Sequence, residues 1–401
     1  MRRFAGSRAA IALVFLMLPT PAGAQDAAEH QHDQPTPAPS WQWSADANAF
    51  FGYNYQQRLF ADFSAWESQN WLMLSAGRGF GRDGLSFASM ISFEPMTIDP
   101  RGSPQLFQTG EAYQGVPLVN FQHPHDLVME LGARYQMPRG RDTYSLGADL
   151  VGPPALGPTP FMHRASARNN PQVPLTHHFT DSTHISTSVL SVGARVGEVT
   201  VEASAFGGAE PDDHRYNIAP PRLDSWSARL GWRRGAWTAQ VSGGHLHEPE
   251  PFEQVDVARL TASLTYEGLV RSQPLAMTFV WGQNRAETGF NGTSNGYLFE
   301  WDATATANDI LYGRAEVAQK ELFGLGAHPP GLRHPAFYYT VSAVTAGYLR
   351  EILSNRFSRL GAGGDVTFYS MASGLEPYYA PSRSYHVFLR WRPGSTPAHV
   401  H

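Results

Sequence analysis

The chain has 401 residues, a formal net charge of −5, 42% hydrophobic and 12% aromatic residues, and no cysteine. The acidic balance speaks against a nucleic-acid partner, which would favour a basic surface. The absence of cysteine removes disulfides and thiolate sites.

Residues 1–24, MRRFAGSRAAIALVFLMLPTPAGA, combine Arg2, Arg3 and Arg8, a short apolar run from Ile11 to Leu18, and Ala22-Gly23-Ala24. That order predicts a secretory signal peptide cleaved near Ala24. The apolar run is too short to cross a bilayer as a helix. Residues 25–40, QDAAEHQHDQPTPAPS, are polar and proline-rich and predict a disordered periplasmic tail. A segment this short leaves no room for a folded plug domain ahead of the first strand.

From Trp41 the chain alternates. Trp41, Trp43, Ala45, Ala47, Ala49, Phe51 and Tyr53 share one parity, and Gln42, Ser44, Asp46 and Asn48 the other. Leu127, Met129, Leu131 and Ala133 alternate with Glu130 and Arg134, and the same pattern returns in 224–233, 256–267, 296–306 and 384–392. Period two means strands with one apolar and one polar face. The runs reach about 10 residues, the length of a tilted membrane strand. Their apolar faces carry Ala, Leu and Val in mid-strand with Trp and Tyr towards the ends, and their polar faces mix charges of both signs. Such faces suit lipid outside and a watery lumen inside.

Sixteen strands are predicted, near 41–56, 68–79, 84–95, 127–137, 143–152, 185–196, 199–209, 224–233, 236–246, 256–267, 274–285, 296–306, 308–320, 336–351, 356–370 and 384–392. Short links such as FGRDG (80–84), PRGRD (138–142) and VGEV (196–199) alternate with long ones such as 96–126, 153–184 and 210–223. The fold class expected is all-β: a transmembrane, antiparallel, up-and-down β-barrel spanning 41–392, with short periplasmic turns, long extracellular loops and a tail at 393–401. In this pattern the chain resembles Gram-negative outer-membrane β-barrels of porin-like architecture. The resemblance implies an exported protein whose partners are outer-membrane lipid and small solutes, with trimer assembly left open. HPHD (123–126), FMHR (161–164) and THHFTDSTH (176–184) also resemble segments of a group of histidine-rich outer-membrane proteins, a likeness that carries no catalytic residues.

The histidines of this topology gather at the extracellular end. His123, His125, His163, His177, His178, His184, His245 and His247, with Asp126 and Asp181, are candidate ligands for a Cu, Zn or Ni ion, because imidazole suits those metals. Glu248 and Glu250 could assist. His214, His328, His334 and His386 share that end, and His30, His32, His399 and His401 lie in the tails. The plainer reading is that imidazoles satisfy loop backbone. No cofactor is required by any motif. Candidate lumen or constriction residues are Glu130, Arg134, Arg164, Arg168, Arg229, Arg259, Glu300, Asp302, Arg314 and Glu316, for which wall-bracing ion pairs are the alternative to selectivity. The resemblance to porins implies that the proline-stiffened third loop folds inward, with His163, Arg164, Arg168, His177 and His178 at the constriction.

The functional expectation is a passive or loop-gated pore for small solutes, not an enzyme. A structural or adhesive barrel is the alternative. A lipid hydrolase is a remoter one, resting on His184 and Ser186 sharing the lipid side with Leu190, Val192 and Ala194. In HPHD itself, Pro124 holds His123 extended, Leu127, Met129 and Leu131 mark the lipid side, and Asp126 faces the lumen.

Overall fold

The computed structural model describes residues 40–59, 61–250, 255–286, 292–321 and 338–394. The expected signal peptide, residues 25–39 of the expected periplasmic tail, residues 395–401 of the expected C-terminal tail, and His30, His32, His328, His334, His399 and His401 lie outside the described residues, while Pro393 of that tail ends the last strand.

The strands are β1 (Gln42–Gln57), β2 (Phe63–Glu67 and, after a two-residue break, Asn70–Phe80), β3 (Asp83–Ile91), β4 (Val128–Arg139), β5 (Asp142–Gly152), β6 (Ser186–Val196), β7 (Val199–Gly207) and β8 (Ser225–Arg234). They continue as β9 (Trp237–Leu246), β10 (Val257–Val270), β11 (Gln273–Ala286), β12 (Thr293–Thr304), β13 (Asp309–Glu321), β14 (Tyr338–Ser354), β15 (Ser358–Met371) and β16 (Arg383–Pro393). Each strand pairs antiparallel with its chain neighbours, and β16 returns to β1 through Ala49–Trp391 to Gln57–Arg383. The sheet therefore closes with no open edge, the condition for sheet structure in lipid. The sixteen-strand barrel agrees with the sequence expectation.

The alternation explains the wall. Leu146, Val192, Val201, Leu230, Val241, Leu264, Phe279 and Leu389 are exposed on the outside. Exposed Tyr135, Tyr144, Trp232, Trp237 and Tyr348 ring the short-turn end, and Phe51, Trp66, Trp226, Tyr297 and Tyr385 ring the other. Two aromatic girdles around an apolar belt are what both interfaces of a bilayer select. No helix among the described residues is long and apolar enough to cross a membrane. The short turns include Gly140 (φ 68°) and Gly197 (φ 60°), where a glycine tolerates the left-handed backbone that a tight hairpin needs.

The lumen is not a water-filled bore. The loop between β3 and β4 (residues 92–127, the second loop) and that between β5 and β6 (153–185, the third loop) fold into it. The third loop carries a 3-10 turn at Phe161–His163, a helical turn at His177–Thr180 and a second 3-10 turn at Ser182–Ile185. Phe161, Met162, Ala167 and Val173 from this loop pack with Trp71, Met73, Met90, Met129, Val151 and Ile185. Leu175 and Phe179 pack with Leu106 and Phe107 of the second loop and with Ala318, Val341, Ala343, Leu375 and Tyr379. A real core thus sits inside the barrel, between opposite walls.

Two parity expectations fail at the rim, for one reason. Met129 is fully buried in the lumen core, not on the lipid side, because the β3–β4 register shifts between the Met90–Glu130 and Ile91–Val128 pairs. His184 and Ser186 are buried inside the mouth, while Leu190 and Val192 face out. Here the β6–β7 register shifts between Thr187 and Leu190, and Ser188 has φ 57°. A bulge adds one residue to a strand and so reverses the faces beyond it. The His184–Ser186 pair has lost the lipid-facing position that the hydrolase reading required.

Candidate functional site: the occluded mouth of the barrel

The descending third loop is fastened to charged wall residues. Arg164 donates from Nε to Glu300 Oε1 (2.6 Å) and from one terminal nitrogen to Asp181 Oδ2 (2.7 Å) and to the Thr159 carbonyl (2.9 Å). Glu300 also lies 3.4 Å from Arg314 Nε, its register partner across β12–β13. Side-chain exposure is 2% or less for Arg164, Asp181, Glu300 and Arg314. Burial alone would push Asp181 up, but the Arg164 guanidinium and the His177 ring outweigh it and hold the carboxyl well below the usual range. Burial likewise opposes charge on Arg164, and its two carboxylates outweigh that.

The same loop reaches lower. Asn169 donates to Asp302, two residues from the short-turn end of β12, and accepts from Arg390. Arg314 donates to the Gln172 carbonyl (2.7 Å), and Glu316 accepts from Thr176 N (3.2 Å). Arg259 anchors the helical turn through the His178 carbonyl (2.6 Å) and Ser182 Oγ (2.9 Å). Two residues deeper in the wall, Gly282 and Gly296 are register partners on β11 and β12. A Cβ at 282 would stand 2.2 Å from the Phe179 carbonyl oxygen, and one at 296 would stand 3.0 Å from its ring. This glycine pair makes the flat wall patch on which the helical turn rests.

Of the predicted lumen residues, Arg164, Arg259, Glu300, Asp302, Arg314 and Glu316 therefore converge on the third loop. Arg229 pairs across the wall with Glu202 (2.8 Å), its register partner, as wall bracing predicts. Glu130 and Arg134 face inward on β4, away from this contact, and Arg168 sits beside the loop tip near Asp302.

The predicted metal ligands divide. His125, His184, His177 and His178 stand in successive ring contact, with centroids 5.4, 5.3 and 5.4 Å apart. His125 Nδ1 meets Glu94 Oε2 (2.8 Å), His177 Nδ1 meets Asp181 Oδ1 (2.8 Å), and His184 Nδ1–H donates to the Asp181 carbonyl (2.8 Å). Burial lowers His177 and, more strongly, His184, which favours the neutral ring in both. Burial also opposes charge on His125, but Glu94 outweighs it and raises that ring. His123 and Asp126 are bound together by Arg215, at 2.9 and 3.2 Å. Burial pushes Asp126 up to about 6 in spite of that arginine. HPHD is thus an inward-turned latch held by Glu94 and Arg215, with Asp126 inside as expected. His163 packs edge-on against Trp71 (4.8 Å). His245 and His247 share Asp256 at the base of the fifth loop, at 3.6 and 2.8 Å, apart from the others.

His178 differs from its neighbours. Its Nδ1 stands 3.3 Å from Glu210 Oε1 and 3.5 Å from Glu250 Oε1, contributed by the fourth loop, between β7 and β8, and the fifth, between β9 and β10. Sequence reasoning missed Glu210, Glu94 and Arg215, which sit in acidic or ordinary loop text. It also assigned nothing to Lys320, the chain's single lysine. Lys320 is buried, donates to Gln108 of the second loop (2.9 Å), and lies over the Phe179 ring of the third (5.7 Å). A cavity of about 50 Å³ remains beside Asn48, Trp71, Glu94, His125, Phe161 and Asn170. That is room for about four waters at roughly 10–15 Å³ each.

No family model matches the chain, and no curated protein matches it. Solved structures do share its fold. The anion-selective porin from Comamonas acidovorans aligns with TM-score 0.52 at 12% identity, covering 88% of this chain and 100% of that one. Pseudomonas putida OprB aligns with TM-score 0.52 at 9% identity, covering 88% and 94%. Salmonella typhi OmpF, in a complex with daunomycin, aligns with TM-score 0.50 at 9% identity, covering 87% and 97%. The fold is that of the outer-membrane porins. The likeness to a histidine-rich group finds no counterpart among these matches.

Proposed function

We propose that the protein is an outer-membrane pore for small solutes whose resting state is closed by its third loop. A sixteen-strand barrel is wide enough for an aqueous channel once its interior is cleared. The observation that carries the reading is the Arg164 junction. A loop that served only as structural filling needs no charges, whereas here a loop arginine joins a loop carboxylate to a charged wall pair. Mixed lumen signs give no preference for cations or anions.

Gly152 and Ser186 are register partners, so the third loop can be replaced by a short hairpin without moving the wall. Planar-bilayer conductance of the intact protein and of that variant tests the proposal, with fractionation confirming outer-membrane residence. The variant should conduct steadily and the intact protein rarely. A properly folded variant that passes no current removes the pore reading and leaves a structural or adhesive barrel. Every wall edge is paired within one chain, so a trimer would form through outward side chains alone. Chemical cross-linking in the membrane reads that directly.

A further inference from the structure

We infer that His178, Glu210 and Glu250 form a binding site for one divalent transition-metal ion of the zinc class, stapling the third, fourth and fifth loops together. One ligand atom from each of the three residues lies within 4.8 Å of the others. Their side chains are 7%, 7% and 18% exposed, so this is a pocket and not a solvated acidic patch. Glu210 and Glu250 are brought side by side by the hydrogen bond from Glu210 N to the Pro249 carbonyl (3.0 Å).

The spacing at His178 differs from that of the close pairs in the mouth. There a histidine nitrogen meets one carboxylate at hydrogen-bond distance, the looser His245–Asp256 contact of 3.6 Å excepted. The separation is 2.8 Å for His125–Glu94, His177–Asp181 and His247–Asp256, and 2.6 Å for His386–Asp365. Charge-assisted hydrogen bonds fall near 2.7–2.9 Å. His178 Nδ1 instead faces two carboxylate oxygens at once, at 3.3 and 3.5 Å. Ligands held about 2.0–2.1 Å from a tetrahedral zinc stand roughly 3.3–3.4 Å apart. The two separations from His178 Nδ1 thus match edges of such a tetrahedron, and the two carboxylates lie within 4.8 Å of each other.

Two carboxylates meet in a largely buried pocket. The Arg259 guanidinium, which donates to Asn284, Ser182 and the His178 carbonyl, acts on both through space. One imidazole with two carboxylates is a donor set of intermediate hardness, suited to Zn²⁺ or Co²⁺ rather than to Ca²⁺ or a soft Cu(I) ion. The Asp212–Asp213–His214 group also converges, but it is exposed and consecutive in sequence, so no fold brings it together. The site is independent of the pore reading, because a barrel that never conducts would still bind the ion.

The test is titration of the EDTA-stripped, detergent-folded protein with Co²⁺ and Zn²⁺. We expect one ion per barrel, a tetrahedral Co²⁺ spectrum displaced by Zn²⁺, and X-ray absorption of bound zinc showing one imidazole. Glu210→Gln and Glu250→Gln should each weaken binding by at least about tenfold, since even outer-shell changes cost 10- to 100-fold. His184→Asn and His214→Asn should bind as the parent does. Heat-modifiable gel mobility confirms that each variant is folded. Absence of saturable binding by the parent overturns the inference. Unchanged binding in both folded glutamate variants does so as well. Two or more imidazoles on the zinc, or loss of binding in His184→Asn alone, moves the metal to the deeper histidines and equally refutes this site. Should a glutamate variant not fold, stoichiometry and imidazole count on the parent still decide.

Discussion

Replacing Arg164 with methionine keeps a long, flexible side chain and removes the charge that joins Asp181 to Glu300. Both carboxylates are 1% exposed and would be left with weaker partners, His177 for Asp181 and Arg314 at 3.4 Å for Glu300. Breaking a buried ion pair from one side costs about 3–5 kcal/mol. The loss falls on docking of the third loop, because the wall strands keep their ladders. At about 1.4 kcal/mol per tenfold, local opening of residues 160–185 should become more frequent by roughly a hundredfold to a few thousandfold. Hydrogen exchange reads this at Phe161 N, bonded to Asp181 Oδ2 (2.9 Å), and at Asp181 N, bonded to the His177 carbonyl (3.0 Å). Amides of β10 to β13 should exchange as before. If loop amides exchange at parent rates, the Arg164 junction does not fasten the loop. If the strands exchange faster too, the junction holds the whole barrel and not a movable part.

Three further outcomes follow from the same geometry. Gly282→Val should lift the helical turn from the wall, since its Cβ would collide with the Phe179 carbonyl, and limited proteolysis should then cut within 176–185 while the barrel stays heat-modifiable. Phe107, fully buried and stacked on Tyr379 at 4.4 Å, should cost about 3–5 kcal/mol when changed to Ala, read as protease sensitivity of the second loop. Leu264→Arg on the exposed outer belt should lower folding stability in lipid vesicles by about 2–4 kcal/mol, whereas Ser263→Arg, of opposite parity, should cost less.

The wall was legible because its physics is local. Period two needs only alternating solvents on the two faces, so β1, β13 and β16 begin and end within about a residue of the alternating runs 41–56, 308–320 and 384–392. Lumen residues were legible for the same reason, and Arg259, Glu300 and Arg314 do face inward. What they touch was not. Arg164 and Glu300 are 136 residues apart, and nothing local to either encodes the meeting. Parity itself failed at Met129 and Ser186, because a bulge is set by how a strand enters the loop, not by its alternation. HPHD shows both effects together. Its aspartate lies inward, but the bulge at Met129 separates it from Glu130, so what holds it there is Arg215 of the fourth loop and not the alternation.

The strength of closure can be bounded from what the third loop buries. Phe161, Met162, Val173, Leu175 and Phe179 are each at most 8% exposed. At about 1.5–3 kcal/mol per fully buried side chain, these five contribute roughly 8–15 kcal/mol, an upper range because a released loop stays partly compact. Complete withdrawal of the loop has to expose all five side chains at once and is correspondingly rare. Loss of the Arg164 junction alone does not overcome this, so Arg164→Met should loosen the loop without opening a full-width pore. A solute path in the intact protein therefore requires a partial hinge of 160–185 or a partner that captures the released loop. The parent in an unmodified bilayer should show no sustained full-width openings, and the loop-replacement variant should show them continuously. Steady full-width conductance by the untreated parent would mean that this apolar face is not docked in the membrane, and the gate would have to be sought in another loop.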